Sequence, residues 1–342
     1  MIDLRSDTLT KPSPEMMSAM IQLPLLLGVG DDVYSEDEAV NKLQLLLAEM
    51  FGMEAGLYCP SGTMTNQIAI KVHTQPGDEL ICSDIAHIYK YEAAGIAFNS
   101  GVQARTIKGD NGRITAKQIE EEINGSDVHS PITRLVCLEN TSNRGGGSIY
   151  PFDEIKNIRE LCDEKKLALH LDGARIFNAI TESNYTAKDM GNIFDSISVC
   201  LSKGLGTPVG SVLLGTKEFI NKAKRVRKVF GGGMRQAGFI AAAGIYALQN
   251  NIERLKDDHI RAKKVASVLK QKSFIKELLP VETNIIIFTI ISVEKANHFQ
   301  EYLKEHTILC GKVSATQMRF VFHLDITDAM VNDLIDQIEK YQ

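Results

Sequence analysis

The sequence predicts an α/β protein: a mainly parallel seven-stranded sheet with helices on both faces, followed by a smaller C-terminal α+β domain. Three observations predict it. Short β-prone runs alternate with helical patterns over roughly 180 residues, as successive strand–helix–strand units require. Several of those runs are continuously apolar, as strands buried on both faces must be. Beyond Gln236 the alternation gives way to long helical patterns and a short mixed tail.

The strands are expected at Gly56–Cys59, Glu79–Cys82, Val102–Ile107, Arg134–Glu139, Leu167–Asp172, Ser196–Leu201 and Gly210–Leu214. Helical stretches fall between them at Glu36–Met50, Thr63–His73, Thr115–Ile123, Asp153–Lys165 and Lys217–Val229. The first opens on Ser35-Glu36-Asp37-Glu38, which reads as a capping box in which the Ser35 hydroxyl and the Glu38 carboxylate satisfy free N–H groups. Two long helices, Ala237–Leu248 and Asn251–Lys270, lead into the tail, where Asn284–Ile290 and Arg319–Phe322 read as strands and Glu294–Glu305 and Asp328–Tyr341 as helices. The chain thus divides into an N-terminal arm (1–30), a large domain (31–248) and a small C-terminal domain (249–342).

Composition narrows the function classes. The 342 residues are 44% apolar and 24% charged, and 38 basic against 43 acidic side chains give a net charge of −5. Such a balance argues against a nucleic-acid or membrane-surface partner, since both need a concentrated positive field. No secretory signal pattern opens the sequence, and the most apolar run, Ile285 to Ile291, is far below the ~20 residues of a bilayer crossing. The six cysteines show no C-x-x-C pair and lie mostly in strand-like runs, as small buried hydrophobes of a cytoplasmic protein do.

Ligands of such sheets bind beyond the carboxyl ends of the strands. One strand runs into Leu201-Ser202-Lys203-Gly204-Leu205-Gly206, an amine at a strand end beside glycines that permit close approach. The loop is a poor dinucleotide fingerprint, because Val209 stands where the third glycine of G-x-G-x-x-G belongs. Another strand ends in Asp172-Gly173-Ala174-Arg175. Each residue alone reads as a solvated charge or a strand-end ion pair. Together they supply what pyridoxal phosphate needs: an amine for its aldehyde, a carboxylate for its ring nitrogen and a guanidinium for its phenolate. After the strand Gly56–Cys59, Pro60-Ser61-Gly62-Thr63 opens a helix whose free N–H groups and dipole suit a phosphate. By itself Ser-Gly-Thr reads as a helix cap.

Six ordered motifs, Met1-Ile2-Asp3-Leu4-Arg5-Ser6-Asp7-Thr8, Gly30-Asp31-Asp32-Val33-Tyr34, Pro60-Ser61-Gly62-Thr63-Met64-x-Asn66-Gln67, Asp172-Gly173-Ala174-Arg175-Ile176-Phe177-Asn178-Ala179, Leu201-Ser202-Lys203-Gly204-Leu205 and Gly231-Gly232-Gly233-Met234-Arg235-Gln236, resemble the threonine aldolase family of the low-specificity or L-allo type. The resemblance implies the fold type I of pyridoxal-phosphate enzymes and cleavage of β-hydroxy-α-amino acids to glycine and an aldehyde. It makes Lys203 the Schiff-base lysine and Asp172 the partner of the pyridine nitrogen. Ser61, Gly62 and Thr63 fall at the phosphate, and Arg175 lies between the phenolate side and the substrate carboxylate. Ser6 and Arg319 match further carboxylate-binding positions. His87 matches the histidine that stacks on the ring, His129 a second histidine near the substrate side chain, and Tyr91 a neighbouring aromatic position. Arg235 stands as a phosphate or subunit-interface arginine, its alternative being a turn charge. A homotetramer with active sites at subunit contacts is implied as well, and no metal.

The pattern departs from the family at Ser142, where a histidine is common, at Ala86 before His87, where serine is usual, and at Gln22 to Leu27, which reads as a longer link before Gly30. His87, His129 or a water near the phosphate stand as candidates for the base that takes the β-hydroxyl proton. Two rivals share the same motifs: β-elimination from an amino acid on the same scaffold, and a noncatalytic binding protein, against which the joint presence of Lys203, Asp172 and Arg175 speaks.

Overall fold

The computed structural model describes residues 1–341, and the expected alternation is present. The first half runs β1 (Ile2–Leu4), α1 (Pro14–Leu27), α2 (Glu38–Phe51), β2 (Ala55–Cys59), α3 (Gly62–His73), β3 (Asp78–Ser83), the single turn α4 (His87–Lys90), β4 (Gln103–Ile107), α5 (Ala116–Glu122), β5 (Ile132–Glu139) and α6 (Phe152–Lys165). The next stretch runs β6 (Ala168–Gly173), α7 (Ile176–Glu182), α8 (Ala187–Gly191), β7 (Ser196–Cys200), β8 (Ser211–Gly215), α9 (Lys217–Val229), α10 (Gly238–Asn250) and α11 (Leu255–Leu269). The tail is β9 (Ile275–Leu278), β10 (Ile285–Ile290), α12 (Val293–Glu305), β11 (Ile308–Lys312), β12 (Gln317–Val321) and α13 (Asp328–Lys340).

The large sheet has seven strands in the order β2-β8-β7-β6-β5-β3-β4. Strands β7, β6, β5, β3 and β4 pair in parallel, and only β8 runs against its neighbours β2 and β7. Every residue of β3, β6 after Ala168, β7 and β8 is buried, which is why these runs carry no apolar–polar alternation. The parallel strands end together at one edge, so Ser83, Glu139, Gly173 and Cys200 bring the following loops to a common place.

The helix beginning at Glu38 differs from the capping box read in the sequence. Asp37 is the N-cap, accepting from the Val40 N–H, while Ser35 adopts the left-handed conformation at φ 61°. The reason is tertiary: Asp37 also accepts from the buried Gly238 N–H at the start of α10. A Cβ on Gly238 would lie 2.3 Å from that carboxylate. Gln22 to Leu27 is likewise no link but the end of α1, with Pro24 inside the helix and buried. The missing proline N–H is tolerated because α1 packs along α10.

A second sheet, β1-β11-β12-β10-β9, serves the tail. Its first strand comes from the other end of the chain: Ile2 to Leu4 pair in parallel with Ile308 to Cys310. Ile2 and Leu4 pack into the core of that sheet with Phe288, Phe299 and Phe320, whereas the large sheet has its own core around Leu169, Val199 and Leu214. Helix α11 joins the two, giving Leu255 to one core and Val265 and Leu269 to the other. The arm therefore crosses the molecule, and the residues just after β1 arrive at the edge where the large strands end.

Candidate active site

Five loops converge at that edge. After β6, Asp172 is buried and accepts from the Ala174 N–H at 3.1 Å on one oxygen and from Asn66 Nδ2 at 2.9 Å on the other. Three residues on, Arg175 is 5% exposed and gives Nε and Nη2 to Asp7 at 2.6 and 2.8 Å. Asp7 lies in the turn after β1, so the arm supplies the counter-charge that lets a guanidinium be buried. Although burial works against ionisation, Arg175, Lys203 and His323 hold the Asp7 carboxyl down at about 2. The fork leaves Nη1 of Arg175 free for an anionic ligand.

Lys203 follows β7 and is half-buried, near enough to Asp7 to act on it electrostatically. Ser6 caps the short turn after β1, its Oγ accepting from the Thr8 N–H. Arg319 reaches in from β12, giving Nη1 to Asn143 Oδ1 at 2.8 Å and Nη2 to the Arg5 carbonyl at 3.0 Å. Both partners are neutral, so its charge is uncompensated. Burial and repulsion from Arg175 push the Arg319 guanidinium down to about 10, a stored preference for an anion.

After β3, His87 begins a single turn. Its backbone N–H donates to Glu139 and its Nδ1 lies 3.0 Å from Glu92 Oε1. Burial opposes the imidazolium, but the hydrogen bond to Glu92 and the charges of Asp172, Glu92 and Glu139 outweigh it and raise the pKa. The Tyr91 ring stands 5.7 Å from the His87 ring, with the Arg144 guanidinium 4.7 Å above it. Glu139, the last residue of β5, is buried among these acids; burial and the Asp172 charge push its pKa up.

At the end of β2, Ser61 caps α3, its Oγ accepting from the Met64 N–H at 3.2 Å. The Gly62 and Thr63 amides precede any intrahelical acceptor and point out of the helix start. A Cβ at Gly62 would sit 3.4 Å from Ser211 Oγ, a buried hydroxyl with no partner. The glycine-rich loop closes over this turn: a Cβ on Gly232 would meet the Met64 sulfur at 2.2 Å. Arg235 on the same loop is exposed and paired with Asp31 at 2.7 Å, while Asp32 binds Arg227, which in turn donates to the Tyr58 carbonyl at the end of β2.

The fold thus gathers Ser6, Ser61, Gly62, Thr63, His87, Tyr91, Asp172, Arg175, Lys203 and Arg319 at one edge, with Arg235 on the loop over α3. It does not bring His129 there. That residue precedes β5 on an exposed loop, 88% exposed at its side chain and paired with Asp127, at the opposite end of a strand about 23 Å long. Within one chain it therefore stands away from this edge and from its expected place near the substrate side chain, because β5 separates the loop before it from the loop after it. Asp7, Asn66, Glu92, Glu139 and Arg144 were not singled out from the sequence. Asp7 and Asn66 stand inside quoted motifs, Glu139 ends a predicted strand and Glu92 directly follows Tyr91; Arg144 has no local signal.

The donor set fits pyridoxal phosphate: a helix start with free amides and an orphaned hydroxyl, a buried carboxylate, an amine, and two cations left with open donors. A model of the beta-eliminating lyase family matches residues 3–292. The low-specificity L-threonine aldolase of Escherichia coli (strain K12) is 42% identical over 328 residues, covering 96% of this chain and 95% of its own. A probable low-specificity L-threonine aldolase of Schizosaccharomyces pombe is 42% identical over 341 residues, covering 99% of this chain and 86% of its own. Among solved structures, a Leishmania major threonine aldolase superposes with a TM-score of 0.87, covering 99% of both chains at 19% identity. The chain belongs to the beta-eliminating lyase family, and within it to the low-specificity L-threonine aldolases.

Proposed function

We propose that the protein is a pyridoxal-phosphate-dependent aldehyde-lyase that cleaves L-threonine, L-allo-threonine and related β-hydroxy-α-amino acids to glycine and an aldehyde. The observation that carries this is the convergence of Lys203, Asp172 and Arg175 with the free helix start at Gly62 and Thr63. The near-full-length likeness to low-specificity L-threonine aldolases supports the substrate class.

When bound, the cofactor supplies an electrophilic aldehyde and a ring that withdraws electrons from the substrate's Cα. This chain's residues do the rest. Lys203 would hold the cofactor through its amine, and Ser61, Gly62 and Thr63 would hold the phosphate at the α3 dipole. Asp172 would pair with the ring nitrogen and favour its protonated form. Arg319 and the free Nη1 of Arg175, with Ser6 beside them, anchor the substrate carboxylate. That anchor would restrict rotation about the substrate's N–Cα bond and so select which Cα bond is presented for cleavage. His87 would cover the ring, with the Tyr91 ring 5.7 Å from its own. Glu92 engages Nδ1 of His87, which leaves Nε2 to take the β-hydroxyl proton in the neutral form.

Lys203→Ala tests the assignment. Borohydride reduction followed by peptide mapping is expected to place the cofactor mass on Lys203 in the wild type and nowhere in the variant, with aldehyde release from threonine lost. A reducible adduct at another lysine overturns it. Acetaldehyde and glycine from threonine distinguish this reaction from β-elimination, which gives pyruvate and ammonia from serine. The protein works as a homotetramer in the cytoplasm. An exposed apolar stripe on α1 and six buried free thiols support those two points. No helix among the described residues is long and apolar enough to cross a membrane.

A further inference from the structure

Behind Asp172 a row of polar side chains runs through the interior of the sheet. His73 Nε2 lies 2.8 Å from Ser196 Oγ, and Ser196 Oγ lies 2.8 Å from His170 Nδ1. His170 Nε2 is 3.2 Å from Asn66 Oδ1. Asn66 Nδ2 then reaches Asp172 Oδ2 at 2.9 Å and Glu92 Oε1 at 3.0 Å. Asn66, His170, Ser196, Asp172 and Glu92 are all buried.

The hydrogens in this row can be assigned. Only the amide nitrogen of Asn66 can donate to two carboxylates, so its oxygen faces His170 and must accept. His170 Nε2 therefore carries a hydrogen. Burial pushes the His170 imidazole down to about 3, which keeps it neutral and leaves Nδ1 a bare acceptor for the Ser196 hydroxyl. Having given up its hydrogen in that direction, Ser196 accepts from Nε2 of His73, which burial also keeps neutral, at about 4. Every donor points the same way, toward the carboxylate pair. Burying five polar groups is costly unless each is satisfied, and here each is.

We propose that His73, Ser196 and His170 form a positioning relay that locks the Asn66 carboxamide with its nitrogen toward Asp172, holding that carboxylate aimed at the ring nitrogen of the cofactor. The inference rests on the reading above that Asp172 faces the ring nitrogen. The geometry joins two halves of the site on one helix: the first turn of α3 receives the phosphate, and Asn66, in its second turn, orients the acid at the other end of the ring.

The test uses histidine nitrogen NMR on the apoprotein, and the holoenzyme loaded with cofactor labelled with nitrogen-15 in its ring. His73 and His170 are expected as neutral Nε2–H tautomers with or without cofactor. Asn66→Ala is expected to move the ring-nitrogen resonance toward the unprotonated form and weaken cofactor binding about tenfold, as losing one hydrogen bond to a carboxylate does. It should also lower kcat while leaving KM for threonine unchanged. If Asn66→Ala does not fold, Ser196→Ala reads the same relay one link back, with a disturbed His170 tautomer and a smaller ring-nitrogen shift in the same direction. A bound cofactor whose ring nitrogen ignores these substitutions, or a His170 found as the Nδ1–H tautomer, overturns the relay alone. A wild-type protein that binds no cofactor overturns the reading of the site and the relay with it.

Discussion

Asp7 and Arg175 stand 168 positions apart and meet as a buried two-pronged pair. Neither residue's partner can be read from its neighbours in sequence, although both lie in motifs. The pair makes a definite pH prediction. Asp7 titrates at about 2 in the folded chain against 3.8 for a free aspartate. A depressed carboxyl contributes stability above its unfolded pKa and loses it as pH falls through the folded one. The contribution is about 2 kcal/mol, complete above roughly pH 4 and lost toward pH 2. Asp7→Asn leaves Arg175 buried without a counter-charge and is expected to cost about 3–5 kcal/mol at neutral pH. Denaturant titrations of apoprotein between pH 2 and 7 read both effects, and the variant should lack this part of the acid dependence.

At the scale of the element, α3 does two jobs through one residue. The sequence allows Ser61 as either a cap or a phosphate ligand, and its oxygen accepts from the Met64 N–H while its hydrogen stays available. Ser61→Ala is therefore expected to lower stability by about 1 kcal/mol, the usual worth of such a cap, and to weaken cofactor binding as well. Thr63→Ala should weaken cofactor binding without the loss of stability, since among the described residues no hydrogen bond ties its side chain. Thermal melts of apoprotein alongside cofactor titration separate the two. Boundaries were less legible where tertiary contacts set them. Asp37 replaced Ser35 as a cap because of Gly238, and Pro24 stayed within α1 because α10 supports it.

Over the whole molecule, the apolar side chains that α1 leaves outside are a liability for a single chain. Met17, Ile21 and Leu25, at helical spacing, are 56, 62 and 67% exposed, and Leu26 beside them is 82% exposed. A contiguous patch of this kind is normally covered by a partner, and in the homotetramer proposed above that partner would be another copy. Ile21→Glu together with Leu25→Glu is expected to reduce the assembly seen by sedimentation to smaller species while leaving the circular dichroism of the fold intact. A species of unchanged size places the subunit contact elsewhere. The arm that carries α1 also delivers β1 to the tail's sheet and Asp7 to Arg175, so the chain's beginning ties the two cores together.

The sequence by itself determined the seven strands of the large sheet, most of the helices around them and the chemistry at the strand ends. Those features are local: apolar runs, helical spacing, and residue types fixed at positions where a chain leaves a sheet. Only the tertiary structure decided which charges are neutralised and which stay open. Asp7 satisfies Arg175 while Arg319 keeps an uncompensated charge, Glu92 and Asn66 are drawn together behind the ring position, and His129 is held at the far end of β5. Such pairings join residues from distant parts of the chain, and their energies depend on burial that no local pattern encodes.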